Sequence, residues 1–424
     1  MPYTIKGGKR LNGEVTLQGS KHSYAAIMVG AAMTNNKVVL KNFPKILDSE
    51  NMVNIFKEFN VLTRKINRNT LRIDGFSKLR KNITISNKNV EKLRDSIYIL
   101  AFAPLFNELC ITKCFGGCIL GERPIMAHLQ VLKEFGFSVK SLKNNNLIIK
   151  RYKKVREVKI DFIKKSVSVT KIAILISSYL KINTTLKNIA LEPNVYDLIN
   201  FLRKMGVKIE FLDYDTLKIR GGMRMKNDKT IHTIISDRME GVTFVCAVLA
   251  AKGKIKIKNF NLRSIGYAKD ILETMGAKFY AKNNVVIVEC NSEINPVDFQ
   301  TGYYPLTCTD MHPLMAVPLC VADGESGIRE TIFKDRWGYI KELSKMGVDY
   351  KIKDQTVYIK GKAKLIGNRV NGLDIRSTAS LIIAGLMATG ETTVTGEQFL
   401  ERAYDNFPKK LISLGANIKI TNIL

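Results

Sequence analysis

The sequence predicts an α/β fold of two domains, each made of three repeated βαβ-type units around buried helices. The first observation is a recurring helix end: KMGVKIE at Gly206, TMGAKFY at Gly276, KMGVDYK at Gly347, SLGANIK at Gly415, EFGFSVK at Gly136 and a weaker EFNVLTR at Asn60. Copies roughly 70 residues apart are the mark of a duplicated unit. The second is that each copy carries a helix that is apolar almost all round: AAIMVGAAM, IYILAFAPLF, KIAILISSYL, TFVCAVLAA, PLMAVPLCVA and SLIIAGLMA. A helix without a polar face is buried. The third is size. The 424 residues exceed what one hydrophobic core serves, so six units divide most simply into two sets of three.

Within each unit the apolar helix opens the copy and leads to a short strand. The second helix, such as VYDLINFLRKMG, is amphipathic and covers the outside. Its last turn ends in a residue suited to the left-handed C-cap, and alternating β-branched residues then form a strand pair. The border between domains falls in the polar GGMRMKNDKT, residues 221–230. Residues 20–228 are expected to form one domain, carrying a loop at 111–124, and residues 1–19 plus 229–424 the other.

The net charge of +29 is spread over every unit, with no basic tail and no aromatic-basic RNA-reading motif. This favours compositional drift over a nucleic-acid surface, and it suits a channel that attracts an anionic substrate. MPYTIKGGKR lacks the apolar core of a signal peptide, and no apolar run approaches the ~20 residues of a membrane span. A cytoplasmic protein without membrane or nucleic-acid partners is expected. The seven cysteines, Cys110, Cys114, Cys118, Cys246, Cys290, Cys308 and Cys320, lie mostly in apolar segments, as reduced core thiols do. Without a CxxC pair they predict no metal site. Cys118 differs, because in CFGGCILGERP glycines, an acid and an Arg surround it, the composition of a mobile loop.

Chemistry is expected where buried helices begin, since a helix N-terminus offers free N–H groups and partial positive charge to anions. The six starts are Gln18-Gly19-Ser20-Lys21-His22, Arg94-Asp95-Ser96, Lys165-Ser166-Val167-Ser168, Asp237-Arg238-Met239-Glu240, Thr309-Asp310-Met311-His312 and Asp374-Ile375-Arg376-Ser377. Each alone reads equally as a cap or a structural ion pair. Together they predict an active site in a cleft between the two domains, at which parallel buried helices aim these ends.

The motifs LNGEVTLQGSK, GGCILGERP, LEP at Leu191 to Pro193, SDRME, PLTCTDM, ETIFKDRW, LDIRSTASL and ERAYD span nearly the whole chain. In them the sequence resembles the enolpyruvyl transferases, and within that family the UDP-N-acetylglucosamine 1-carboxyvinyltransferase branch, to which the Cys-bearing loop is specific. The resemblance implies an inside-out α/β barrel in each domain. It implies transfer of the enolpyruvyl group of phosphoenolpyruvate to a hydroxyl, through a tetrahedral ketal that loses phosphate, without cofactor or metal.

By the same resemblance Lys21, Arg123 and Arg402 hold phosphoenolpyruvate, Arg336 and Arg376 lie near its carboxylate, and Arg94 supports the closed loop. Arg forks match the planar carboxylate and phosphate oxygens. Cys118 is implied as general acid or transient nucleophile, activated by nearby cations, and as the thiol that the epoxide antibiotic fosfomycin modifies. Asp310 is implied as the base for the acceptor hydroxyl, against the plainer reading of a helix N-cap. Asp374 is implied to assist the ketal step or product release. His22, Pro124, Lys165, Ser166, Val167 and Ile332 fall at substrate-binding positions. Glu192 and Asp237 read as positioning carboxylates, with a structural ion pair equally open for Asp237, Arg238 and Glu240, and His128 matches a loop His or is structural.

Three departures concern the acceptor. His22 replaces an Asn, Met126 replaces an Asp that meets the uracil, and Ser166-Val167-Ser168-Val169 lacks the Gly that lets backbone approach the diphosphate. UDP-N-acetylglucosamine, in peptidoglycan precursor synthesis, is the first expectation. Another uridine nucleotide such as uridine monophosphate, in specialised metabolism, is the alternative. A non-catalytic or nucleic-acid-binding relative is disfavoured by the retention of Lys21, Cys118 and Arg402.

Overall fold

The computed structural model describes residues 2–34, 36–75, 83–85, 90–106, 109–111, 125–141, 147–222 and 229–420. These fall into two compact units, one of residues 19–235 and one of residues 1–18 with 236–424.

Each unit contains three four-stranded sheets of a single pattern. A leading strand runs parallel to the second, and two further strands pair antiparallel beyond it. In the sheet of Glu157–Asp161, Asn183–Lys187, Thr216–Arg220 and Lys208–Asp213, the helix Val167–Tyr179 bridges the parallel pair. The leading strand, absent from the expected order of elements, is what makes each copy a βαβ unit.

Left-handed backbone occurs at all six repeat marks: Gly136, Gly206, Gly276, Gly347 and Gly415 have φ between 81° and 117°, and Asn60 has φ 57°. Glycine has no Cβ to clash there, and Asn tolerates the region through its short polar side chain.

The apolar helices are buried as their composition requires. Ile172, Ala173, Ile174, Leu175 and Ile176, five consecutive residues covering more than a full turn, are all inaccessible to solvent. Each large aliphatic side chain so buried contributes about 1.5–3 kcal/mol. In the 19–235 unit Lys21–Ala32, Ile99–Phe106 and Val167–Tyr179 pack on one another. In the other unit Arg238–Ala251, His312–Leu319 and Ile375–Met387 do the same. The second apolar helix differs from expectation: its start is a 3-10 turn, Arg94–Tyr98, before the α-helix begins at Ile99.

Two leading strands come from distant chain. Lys229–Thr233 pairs in parallel with Lys37–Lys41, so it belongs to the 19–235 unit. The expected border at 228/229 therefore moves to 235/236, because backbone pairing with Lys37–Lys41 holds that strand in the earlier unit. Leu11–Thr16 likewise leads Gly253–Lys258 in the other unit. The strand pair expected after Gly415 is also rearranged. Tyr3–Lys6 lies between Glu391–Thr395 and Asn417–Ile420, supplying the strand that follows the hairpin turn in the other five sheets.

Among the described residues, no helix is long and apolar enough to cross a membrane. Cys246, Cys290 and Cys320 are buried free thiols, and burial pushes Cys246 upward and Cys320 to about 12, as inert core thiols require.

Candidate active site

In the 19–235 unit the chemistry gathers at the first turns of the apolar helices. Lys21 opens the helix Lys21–Ala32, and its ammonium donates to Asp48 Oδ2 at 2.7 Å and to Asp95 Oδ2 at 3.5 Å. Asp48 is fully buried and comes from the helix Leu47–Glu58, while Asp95 lies on the 3-10 turn that also carries half-buried Arg94. Burial by itself would raise the Asp95 carboxyl, but Lys21, His22 and Lys171 outweigh it and hold Asp95 below the usual carboxylate range.

Lys171 is a charge inside an apolar helix and is fully buried. Its ammonium donates to the His22 carbonyl oxygen at 2.5 Å and lies 5.6 Å from the centre of the Tyr98 ring. Both contacts compensate the desolvation of the cation. The lysine at the head of KIAILISSYL was the available signal for it, hidden by the otherwise apolar run.

At the third helix start Ser166 is the N-cap of Val167–Tyr179 without a side-chain capping bond, and Lys165 donates to Asp215 Oδ2 at 2.6 Å and to the Ile189 carbonyl at 3.1 Å. Ser168 Oγ lies 2.8 Å from His128 Nε2. Met126, the first residue of the helix Met126–Glu134, is exposed. Glu192 is the N-cap of the helix Pro193–Lys204 and is buried.

Burial, aided by the positive charge of Arg94, lowers His128 to about 4 from an ordinary value of 6.5. A histidine kept neutral in the fold gains its proton more readily once unfolded. Its contribution is therefore complete above pH 6.5 and is lost as pH falls towards 4. Between pH 7 and pH ~4.5 this single site should account for about 2–3 kcal/mol of lost stability. Urea unfolding at the two pH values checks it: the His128→Asn variant should lose less stability than the parent on acidification by about that amount.

In the unit of residues 1–18 and 236–424 the centre is Asp310. Its Oδ1 accepts from Arg336 Nη1 at 2.8 Å and its Oδ2 from Arg376 Nε at 3.1 Å. Both guanidiniums are buried. The expected N-cap alternative for Asp310 does not hold, since Met311 is the N-cap of His312–Leu319 and the carboxylate is turned to the two arginines.

Arg376 also donates to Tyr404 Oη at 2.8 Å, and that hydroxyl meets Thr243 Oγ1 at 2.9 Å. Arg336 donates to Thr309 Oγ1 at 3.0 Å, and Thr309 donates to Glu330 Oε2 at 2.7 Å. Glu330 is fully buried and accepts the backbone N–H of Ile332 at 2.7 Å and of Phe333 at 3.1 Å, which fixes the turn carrying half-buried Ile332. Burial alone would lower both guanidiniums, but Asp310 and Asp374 near Arg336, and Tyr404 and Asp310 near Arg376, leave both raised and charged.

Other residues at the helix starts have structural engagements. Asp374 is the N-cap of Ile375–Met387 and accepts from the N–H of Arg376 and Ser377. This leaves its carboxylate tied to the turn that aims Arg376. Asp237 caps Arg238–Ala251 through Met239 and Glu240 N–H. Glu240 accepts from Lys410 at 2.6 Å and from Gln18 N–H, and Arg238 donates to the Ser264 carbonyl, so for Glu240 the ion-pair reading holds. Arg402 lies half-buried just after the helix Glu397–Leu400. Cys114, Cys118, Arg123, Pro124 and residues 112–124 of the expected loop lie outside the described residues.

The family model for EPSP synthase (3-phosphoshikimate 1-carboxyvinyltransferase) matches residues 5–411. The chain belongs to this enolpyruvyl transferase family. Among curated relatives, UDP-N-acetylglucosamine 1-carboxyvinyltransferase 1 of Legionella pneumophila (strain Lens) is 32% identical, over 99% of this chain and 82% of that protein. The UDP-N-acetylglucosamine 1-carboxyvinyltransferase of Fervidobacterium nodosum is 34% identical, over 97% of this chain and 96% of its own. Among solved structures, the enolpyruvyl transferase NikO from Streptomyces tendae superposes with a TM-score of 0.89 at 24% identity, covering 99% of this chain and 98% of that one. An EPSP synthase from Acinetobacter baumannii has a TM-score of 0.80 at 16% identity, covering both chains in full. These structural likenesses establish that the family's mixed α/β fold is present.

Proposed function

We propose that the chain transfers the enolpyruvyl group of phosphoenolpyruvate to a hydroxyl of UDP-N-acetylglucosamine, releasing phosphate, as a step in peptidoglycan precursor synthesis. The observation that carries the reading is Asp310 held between the buried guanidiniums of Arg336 and Arg376. A carboxylate oriented by two fixed cations is suited to take the proton of an incoming hydroxyl, and the cations are suited to a carboxylate and to the charge that develops at the reacting centre. Likeness over nearly the full length to relatives with that activity supports the choice of acceptor.

The acceptor oxygen bonds to C2 while its proton passes to Asp310 and C3 gains a proton from Cys118. The ketal then returns a proton from C3 to Cys118 as the C2–O bond to phosphate breaks, and phosphate leaves with the proton that Asp310 held. Lys21, Arg123 and Arg402 would carry the phosphate charge through both stages. The inside-out barrel form of each unit is supported by the mutual packing of its three apolar helices.

A second reading, transfer to another uridine nucleotide such as uridine monophosphate, rests on His22, exposed Met126 and the occupied hydroxyl of Ser168. A phosphate-release assay separates the two. UDP-N-acetylglucosamine should support release and uridine monophosphate should not. If the order inverts, His22→Asn with Met126→Asp should shift activity back towards UDP-N-acetylglucosamine. No release with either nucleotide rejects both readings. Fosfomycin should add to Cys118 and to no other cysteine, as peptide mass spectrometry would read.

A further inference from the structure

A cleft of about 450 Å³ opens in the 19–235 unit where the helix Val167–Tyr179 ends, lined by Arg156, Lys181, Ile182, Asn183, Lys208, Arg220 and three glycines. Among the described residues its lining holds four cations, no carboxylate and no aromatic ring. Among the described residues none of the four cations has an ion-pair or side-chain hydrogen-bond partner. Two other surface clefts of this size each include a carboxylate. A cleft of about 420 Å³ sets Glu50 among its lysines, and one of about 470 Å³ sets Asp323 against Lys362 at 2.7 Å.

Strand register sharpens the imbalance. Lys208 and Arg220 are direct cross-strand partners, and Arg220 is in turn opposite Asn183. Like charges placed opposite one another on a ladder destabilise it, and nothing in the lining offsets them. The site is also separate from the residues assigned to the reaction. Ser166, Lys165 and His128 gather at the N-terminal end of the same helix, and its 13 residues put about 20 Å between the two ends.

We propose that this cleft binds a small oligophosphate, a chain of two or more phosphate groups, either free or as the phosphate tail of a nucleotide. A single carboxylate would neutralise only one of four charges, whereas an oligophosphate places several negative charges within a few ångströms. Two guanidiniums supply bidentate forks for phosphate oxygens, and two ammonium groups act as mobile point charges. The volume suits a nucleotide-sized ligand. The absence of an aromatic ring from the lining leaves no stacking platform for a base, so recognition is of charge and not of base or single-stranded nucleic acid. The proposal is independent of the reaction proposed above.

Isothermal titration of the full chain with inorganic tripolyphosphate tests it, alongside two double variants, Lys208→Glu with Arg220→Glu, and Arg156→Ala with Lys181→Ala. Removing two unit charges about 5 Å from the ligand in water is worth roughly tenfold in affinity, and reversing them roughly a hundredfold. The parent should bind, with the alanine pair about tenfold weaker and the glutamate pair weaker still. Thermal melting, unchanged by substitutions at these exposed positions, keeps the comparison interpretable. Adenosine triphosphate should bind no more tightly than tripolyphosphate. Absence of binding by the parent, equal affinity in all three proteins, or binding of the nucleotide without tripolyphosphate would each overturn the assignment.

Discussion

Asp310→Asn is expected to lower turnover by roughly 10²–10⁴-fold, the range for losing a positioned general base. The substitution keeps the size of the side chain but removes the charge that Arg336 and Arg376 share at 2.8 and 3.1 Å. Both guanidiniums are buried and each loses its direct carboxylate partner, so a stability loss of up to about 3–5 kcal/mol should accompany the kinetic one. The two effects have separate readouts. Urea titration gives the stability change, and single-turnover phosphate release at a temperature where both proteins are folded gives the chemical one. Turnover within tenfold of the parent would remove Asp310 from the reaction and leave it as the ionic partner of two arginines.

Lys21→Met should be similarly severe, for a different reason. In the 19–235 unit Lys21 neutralises fully buried Asp48 and also meets Asp95. Its loss should cost up to about 3–5 kcal/mol of stability, since it removes the 2.7 Å ionic partner of a buried carboxylate. The proposed contact with the phosphate of phosphoenolpyruvate would be lost as well, and kcat/KM for that substrate should fall by roughly 10²–10³-fold. Adding Asp48→Asn separates these contributions. The double variant removes the carboxylate together with its ionic partner, so most of the stability should return while kcat/KM stays low. Recovery of activity together with stability would make Lys21 a structural residue only.

The helix start at Arg94-Asp95-Ser96 illustrates how much was legible. Its position and charges were visible in the chain, but the 3-10 geometry and the bond from Lys21, 74 residues away, were not. Asp374 was legible as a helix start and so as a cap, and the structure gives it that role through Arg376 and Ser377 N–H. Asp310 looked the same in sequence, yet Met311 takes the cap position and Asp310 faces two arginines. Glu330 and Tyr404 sat inside recognised motifs, ETIFKDRW and ERAYD, without a local sign that one anchors the Ile332 turn and the other holds Arg376.

What the sequence determined by itself follows from short-range rules. Apolar composition around the whole circumference decides that a helix is buried, and a glycine after the last helical turn decides a left-handed cap, so six units and their order could be counted along the chain. Motif spacing likewise decided the family. Tertiary structure alone decided which strand completes which sheet. Lys229–Thr233 joins Lys37–Lys41, Leu11–Thr16 joins Gly253–Lys258, and Tyr3–Lys6 joins the last sheet, because backbone hydrogen bonding is indifferent to sequence distance. It also decided which charges meet. Arg376 reaches Asp310 across 66 residues and Lys171 reaches the His22 carbonyl across 149, and a buried ion's partner is chosen by desolvation in the folded core rather than by neighbours in the chain.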